Sequence, residues 1–122
     1  MDWRLVILES PYAGDVERNV EDARKCTLDA LMHGDAPFVS HLLYTQEGIL
    51  DDNDPKERNV GISAGLAWRK VAEASVVYAD LGITPGMIRG MRVAQADGLP
   101  VEIRFIEEGE EDEISPPDTG AV

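Results

Sequence analysis

The chain has 122 residues, enough for one domain whose core needs neither a disulfide nor a structural metal. Its 24 acidic and 11 basic residues give a net charge of −13, which repels phosphate backbones and argues against general nucleic-acid binding. The single cysteine, Cys26, excludes an internal disulfide and a cysteine-rich zinc site and fits a cytoplasmic location. No apolar run reaches the roughly 20 residues of a membrane helix, so we expect no membrane partner.

The first third of the chain predicts a strand, a helix and a second strand. Residues 3–9 are mostly apolar and predict a strand buried on both faces. Asp15 is placed to cap a helix that ends before Gly34. Residues 36–44 contain the next strand, and residues 45–53 form a long polar loop. The side chains expected on the buried face of the helix are Val16, Val20, Ala23, Thr27, Ala30 and Leu31.

A second helix begins at Asp54 and runs to about residue 73. Pro55 follows the cap, and Glu57 completes a capping-box pattern. Residues 75–79 predict a third strand. The apolar positions at helical spacing, expected to be buried, are Val60, Ala64, Ala67, Trp68 and Val71.

The last helix and strand follow the same logic. Thr84 and Pro85 begin a helix that Gly98 ends. Residues 100–105 predict a strand at or near a sheet edge, because Pro100 cannot donate a ladder hydrogen bond. The side chains expected on one face of the helix are Met87, Met91 and Ala94.

The order βαβαβαβ predicts one α/β domain over residues 1–106. Short connections between alternating strands and helices favour a three-layer α/β/α sandwich with a Rossmann-like parallel sheet and right-handed crossovers. Residues 107–122 begin with an acidic run and are expected to form a flexible tail. That tail is either a solubilising end or a docking segment for a basic partner.

Three loops of this fold are expected at the carboxyl edge of the sheet, where open parallel sheets bind ligands. Residues 10–15 and 80–86 each lead into a helix N-terminus, whose free N–H groups favour an anion. In the loop between them, residues 41–45, His41 can bond a ligand, take part in acid–base chemistry, or simply bond to backbone. The ligand-binding candidates in the three loops are Ser10, Tyr12, Gly14, Asp15, His41, Tyr44, Gly82, Thr84, Gly86 and Met87.

Asp15 and Tyr44 have more specific expected roles, and Asp15 has an alternative one. Asp15 either accepts a hydrogen bond from a sugar hydroxyl or only caps its helix. Tyr44 is expected to stack on a base. His33, at a helix C-terminus, is interpreted as a partner of the helix dipole with no role in a site.

Several common motifs are absent from the sequence. It has no Gly-x-Gly-x-x-Gly fingerprint, no phosphate-binding Gly-Lys-Ser/Thr and no Gly-x-Ser-x-Gly elbow. Residues 51–54 are acidic but lack the glycine and glutamate spacing of a calcium loop. We therefore expect no cofactor and no metal.

Four segments in a fixed order carry a family resemblance over residues 4–104. They are Ser10-Pro11-Tyr12-Ala13-Gly14, Pro55-Lys56-Glu57-Arg58-Asn59, Ala74-Ser75-Val76-Val77-Tyr78-Ala79-Asp80, and Pro85-Gly86-Met87 through Gly98-Leu99-Pro100-Val101. The chain resembles the nucleoside 2-deoxyribosyltransferase-like superfamily, which includes nucleotide N-glycosidases, and is most similar to its phage-borne members. The resemblance implies a homo-oligomer. It also implies that the first loop and the start of the last helix hold the phosphate or 5′ end of a ligand, through Tyr12, Gly14, Thr84 and Gly86.

The chain departs from this family at both usual carboxylates. Gly90 stands where the resemblance places a nucleophilic glutamate, and Asn59, after Arg58, stands where nucleotide-hydrolysing members have an aspartate. A glycosidic displacement needs a carboxylate near the anomeric carbon. Glu57 and Asp80 are the candidates to replace it, although Glu57 is also the expected capping residue. Arg58 and Asn59 complete the ligand-binding candidates.

The function expected from these observations is non-catalytic binding of a nucleotide or a nucleotide-derived small molecule. A phage protein of this type would sequester a host-defence signal, such as an ADP-ribose derivative or a cyclic oligonucleotide, in the host cytoplasm. Two alternatives stay open. One is an N-glycosidase or base transferase acting on a (deoxy)nucleotide. The other is an interaction protein that works through its acidic surface.

Overall fold

The computed structural model describes residues 2–106, in which strands and helices alternate. The strands are β1 (Arg4–Glu9), β2 (Asp35–Phe38), β3 (Ala74–Tyr78) and β4 (Val101–Arg104). The helices are α1 (Val16–Met32), α2 (Ser40–Leu43), α3 (Pro55–Ala67) and α4 (Pro85–Ala96), and a 3₁₀ turn (Trp68–Lys70) extends α3. Residues 107–122, the predicted tail, lie outside the described residues. None of the helices in residues 2–106 combines the length and apolar character needed to cross a bilayer.

The four strands form one parallel sheet in the order β2-β1-β3-β4. This confirms the predicted α/β fold and the edge position of the last strand. From β1 the chain moves first to β2 on one side and later to β3 on the other. The connections therefore diverge between the carboxyl ends of β1 and β3, where a parallel sheet leaves a crevice.

The main core lies between one face of the sheet and α1. Alternate strand residues share a face, and Val6, Leu8 and Val76 pack there with Cys26 and Ala30 of α1. Each fully buried aliphatic side chain of this kind contributes about 1.5–3 kcal/mol. Packing of the α1 face therefore accounts for much of the stability of the described residues.

A network of charged side chains joins three strands. Arg4 Nε contacts Asp35 Oδ1 at 3.1 Å, and Arg4 Nη1 contacts Glu102 Oε2 at 2.8 Å. Arg104 Nη2 contacts Asp35 Oδ2 at 2.8 Å. The hydrogen bond from Arg4 is the main reason that the pKa of Glu102 falls to about 2. Two arginines thus neutralise the buried Asp35 carboxylate and link β2, β1 and β4.

The three predicted helix caps are present. The side chain of Asp15 accepts from the Arg18 N–H at 3.2 Å, and that of Asp54 accepts from the Lys56 N–H at 2.9 Å. Thr84 Oγ1 caps α4. The capping-box role of Glu57 is wrong, because its carboxylate accepts from the N–H of Asp51, which precedes the cap, at 2.7 Å.

The segment after β2 differs from the prediction. The strand ends at Phe38, and Ser40–Leu43 form the short helix α2 in place of the rest of a strand. Apolar character over residues 36–44 does not distinguish a strand from a single helical turn, because both bury apolar side chains. His41 therefore lies on a helical turn after β2.

The buried faces of α1 and α3 are also corrected. In α1 the buried residues are Asn19, Ala23, Cys26 and Ala30, whereas Val16 and Leu31 are about 40% exposed. In α3 only Gly65 is buried, and Val60, Trp68 and Val71 are exposed. The Trp68 ring, expected in the core, stacks on Phe38 with a centroid distance of 4.5 Å. The inward face of α3 contains Gly65, because a residue without a side chain is needed where α3 crosses α2 at close range.

The crossing of α3 and α2 predicts the effect of a single methyl group. A Cβ at position 65 would lie 2.9 Å from Ser40 Cβ, whereas a Cβ at position 61 would meet only the flexible end of Leu50 at 3.2 Å. We expect Gly65→Ala to lower the free energy of unfolding by about 1–2 kcal/mol through overpacking. We expect Gly61→Ala to be neutral or to raise it by up to about 1 kcal/mol through helix propensity. Urea denaturation of both variants tests this, and equal effects would contradict the close crossing.

Candidate functional site

A cavity of about 510 Å³ opens at the carboxyl edge of the sheet, beside the switch point between β1 and β3. The loop after β1, α2, α3 and the start of α4 form its wall. Tyr12, His41 and Thr84, from three separate loops of the sequence prediction, all line this one cavity. A second hollow, of about 840 Å³, adjoins it and shares Tyr12, Gly14 and Arg58.

The structure divides the candidate residues of the sequence into two groups. Ten of them line the cavity: Ser10, Tyr12, Gly14, His41, Tyr44, Glu57, Arg58, Thr84, Gly86 and Met87. Four others are not part of its wall: Asp15, Asn59, Gly82 and Asp80.

Each of those four has a different local setting. Asp15 acts as the cap of α1, and Asn59 is exposed on α3. Gly82 has a positive φ of 97° and forms the turn before α4. The carboxylate of Asp80 accepts from the Ile106 N–H at 3.0 Å. It also acts electrostatically on Asp22 of α1, which places it on the α1 side of the sheet.

Ser10, Tyr12 and His41 form the inner wall of the cavity. Ser10 Oγ and His41 Nε2 share a hydrogen bond of 2.7 Å, and the Tyr12 ring meets the His41 ring edge-on with centroids 6.4 Å apart. Burial lowers the pKa of His41 to about 4, so its ring is neutral at pH 7. His41 therefore offers hydrogen bonding and shape rather than positive charge. Asn19 fixes the loop from below by donating its side-chain N–H to the Tyr12 carbonyl at 2.9 Å.

Tyr44 is already engaged by its neighbours. Its hydroxyl accepts from the Trp68 indole N–H at 3.2 Å, and its ring lies edge-on to Phe38. The side chain is therefore oriented by the 3₁₀ turn after α3 and by β2, as part of the cavity wall. Tyr12, whose ring contact is with His41 alone, is the better placed aromatic surface for a ligand.

Two backbone N–H groups at the start of α4 already have hydrogen-bond acceptors within the same turn. Thr84 Oγ1 accepts from the Met87 N–H at 3.2 Å, and Met87 Sδ accepts from the Thr84 N–H at 3.4 Å. Pro85 has no N–H, so Gly86 supplies the remaining donor of the first turn. Arg89, one turn further along α4, also lines the cavity and adds a positive charge there.

Glu9 brings a carboxyl group into the cavity that sequence reasoning missed. It is the last residue of β1, and its carboxyl group packs on Gly90 of α4, where an added Cβ would lie 2.8 Å from the carboxyl carbon. No hydrogen bond or ion pair within residues 2–106 engages this group. Partial removal from water on the cavity wall raises the pKa of Glu9 to about 7, because desolvation disfavours the charged form.

The other two carboxylates of the cavity are engaged. Asp52 Oδ2 lies 3.7 Å from Arg58 Nη1, and Glu57 is bonded to the Asp51 N–H. Glu9 is thus the only unengaged carboxyl group on the described cavity wall. In the sequence, Glu9 can be recognised as a charged residue that ends an apolar strand at the carboxyl edge of the sheet. Gly90 can be recognised as a position without a side chain, which leaves the space that the Glu9 carboxyl group fills. Within residues 2–106, no three His, Cys, Asp or Glu side chains are grouped closely enough to hold a metal ion.

Comparison with known families identifies the chain as a member of a domain family of unknown function, DUF7768, whose model matches residues 4–104. No curated protein and no solved structure matches the chain. The family match covers all four strands, all four helices and the cavity.

The partly buried Glu9 predicts a pH-dependent loss of stability. Because its folded pKa of about 7 lies above the ordinary 4.5, the folded state binds the proton more tightly and loses stability as pH rises from about 4.5 to 7. Glu9→Gln removes this penalty, so at pH 8 the variant should be more stable than the wild type by up to about 3 kcal/mol. The difference should vanish below pH 4.5.

Urea denaturation at several pH values measures the Glu9 effect. Glu21→Gln, the same change at an exposed position of α1, is the matched control and should follow the wild type at every pH. A constant difference between Glu9→Gln and the wild type from pH 4.5 to 8 would contradict the raised pKa of Glu9.

Proposed function

We propose that this member of the DUF7768 family binds a nucleotide-like small molecule in the cavity beside the β1–β3 switch point. The observation that carries the proposal is the convergence of Tyr12, His41 and Thr84 on one cavity at the ligand-binding edge of a parallel sheet. A volume of about 510 Å³ lies within the usual range for small-molecule sites.

The wall of the cavity offers a distinct contact for each part of such a ligand. The ring of Tyr12 provides a face for a base, and the Glu9 carboxylate accepts from a sugar hydroxyl. The free Gly86 N–H at the start of α4, supported by Arg89, suits a phosphate. The adjoining hollow leaves room for a ligand larger than a mononucleotide, such as an ADP-ribose derivative or a cyclic oligonucleotide.

Non-catalytic binding is the form of this function that the family resemblance favours. The chain has Gly90 and Asn59 where the resemblance expects carboxylates. A binder of this kind in a phage would sequester a nucleotide signal of host defence in the host cytoplasm. An assembly of several copies is part of the same proposal.

N-glycosidic cleavage of a nucleotide is the second candidate function, and Glu9 is the observation that favours it. Such a reaction needs a carboxylate near the anomeric carbon. Glu57, one of the candidates from the sequence, is bonded to backbone, and Asp80 is outside the cavity wall. Glu9 supplies a carboxyl group within the cavity from a different element.

Calorimetric titration with adenosine, AMP, ADP-ribose and a cyclic dinucleotide tests the binding proposal. We expect at least one of them to bind the wild type. Tyr12→Ala should weaken that binding about 5- to 150-fold, because base–aromatic stacking contributes about 1–3 kcal/mol. Trp3→Ala removes an exposed aromatic side chain that does not line the cavity and should bind as the wild type does. Absence of binding by every compound, or equal loss in both variants, would overturn the proposal.

A further inference from the structure

We infer that the acidic segment 107–113 of this chain docks on the first half of α4 and competes there with an anionic ligand of the cavity. All residues of the segment except Gly109 are acidic, and the basic side chains that receive it are Arg89 and Arg92. The docking itself is independent of the proposed function. Its effect on ligand binding rests on the proposed ligand site and adds a form of regulation to it.

The first support is the uneven distribution of charge over the fold. Residues 81–96, which contain α4 and the loop before it, include two arginines and no acidic residue, in a chain whose net charge is −13. α4 packs on the Glu9 side of the sheet, and α1, with several acidic residues, packs on the Leu8 side. The outward surface of α4 is therefore locally positive and attracts carboxylates.

The second support is the lack of a partner for the two arginines. Arg89 and Arg92 are exposed on α4, and no carboxylate within residues 2–106 forms an ion pair with either of them. By contrast, Arg4, Arg69 and Arg104 each contact a carboxylate. Residues three apart on a helix are neighbours on its surface. The two guanidinium groups thus form one site for a carboxylate-rich segment.

The third support is the place where the described chain ends. The Ile106 N–H donates to the Asp80 carboxylate at 3.0 Å, and Asp80 begins the loop that leads to Thr84, the cap of α4. That loop spans at most about 14 Å, and Arg89 lies about 8 Å further along the helix. A segment of seven residues extends up to about 25 Å. Residues 107–113 can therefore bring carboxylates to Arg89 and, one turn on, to Arg92.

Docking at Arg89 brings negative charge to the cavity wall. The Gly86 N–H and Arg89 are the groups that suit the phosphate of a ligand, so a carboxylate held there occupies part of the same anion site. Each exposed contact between an arginine and a carboxylate is weak, but the covalent link gives the segment an effective concentration in the millimolar range. A phosphorylated ligand therefore has to displace the segment, whereas an uncharged nucleoside does not compete for Arg89.

Paramagnetic broadening of amide NMR signals tests the docking in the full chain without a ligand. A nitroxide is attached through Gly109→Cys. Cys26, the native cysteine, is buried, and burial raises the pKa of its thiol, so it stays unlabelled. At about 0.05 M NaCl we expect broadening at residues 88–92 but not at residues 28–32, the end of α1. At about 0.5 M NaCl, where exposed charges are strongly screened, the broadening should be lost.

Two matched arginine variants show which side chains receive the segment. Arg92→Gln should reduce the broadening on α4, because it removes one of the two guanidinium groups. Arg24→Gln, the same change at an exposed position of α1, should leave it unchanged. Equal broadening of α1 and α4, or equal effects of the two variants, would overturn the docking. Broadening that appears in ¹⁵N-labelled chains without a nitroxide would assign the segment to a second copy and also overturn it.

Calorimetric titration with AMP and adenosine tests the competition. In a full-length variant, each acidic residue of 107–113 is replaced by its amide. At about 0.05 M NaCl this variant should bind AMP at least about threefold more tightly than the wild type and adenosine equally well. Asp2→Asn combined with Glu21→Gln lowers negative charge at exposed positions elsewhere and should bind AMP as the wild type does.

The two experiments separate the inference from the proposed function. Equal affinity of the wild type and the amide variant for AMP overturns the competition and leaves the proposed function standing. Absence of binding of either compound by both chains overturns the competition, and the full set of compounds then decides the proposed function. The NMR result decides the docking in every case, because it needs no ligand.

Discussion

The packing of the Glu9 carboxyl group on Gly90 is the contact on which the interpretation of this cavity depends. The side chain of Glu9 projects from the end of β1 toward α4, and only a residue without a Cβ at position 90 leaves it space. The carboxyl group is thereby shielded from water without gaining a partner among residues 2–106, which raises its pKa. A small domain has only about 5–15 kcal/mol of stability, so an uncompensated penalty of a few kcal/mol is a substantial fraction of it.

The two faces of the sheet have different roles: one carries the core that stabilises the fold, and the other carries the cavity in which this contact lies. On the α1 side, Val6, Leu8 and Val76 fill a continuous core, and the contacts of Asp35 with two arginines tie the strands together. On the other side, α3 buries only Gly65 and leaves open space toward α4. The cavity thus lies on the face opposite the α1 core, and because that core stabilises the fold, the cavity wall can carry groups that do not.

Sequence reasoning predicted the parts of the fold that are set by local chemistry. Asp15, Asp54 and Thr84 cap helices as expected, because a short polar side chain before a helix satisfies free N–H groups wherever the helix lies. The strand runs and the parallel order followed from apolar segments with short crossovers. Parallel strands also bring their loops to one edge, which is why Tyr12, His41 and Thr84 were expected together.

The features that were missed depend on contacts between distant segments. Trp68 looked like a core residue by its spacing, but the close crossing of Gly65 over Ser40 rotates α3 and leaves Trp68 on Phe38. Glu9 looked like a polar strand end, and Gly90 looked like the loss of a carboxylate. Only the packing of β1 against α4 shows that these two positions are complementary.

The central claim is that the Glu9 carboxyl group is held at the cavity wall, largely shielded from water and without a partner among the described residues. An NMR titration of side-chain carboxyl carbons in ¹³C-labelled protein tests it most directly, with the Glu9 signal assigned by its absence in Glu9→Gln. We predict a titration midpoint of about 7. A midpoint near 4.5, the ordinary value for glutamate, would show a solvated carboxylate and contradict the account.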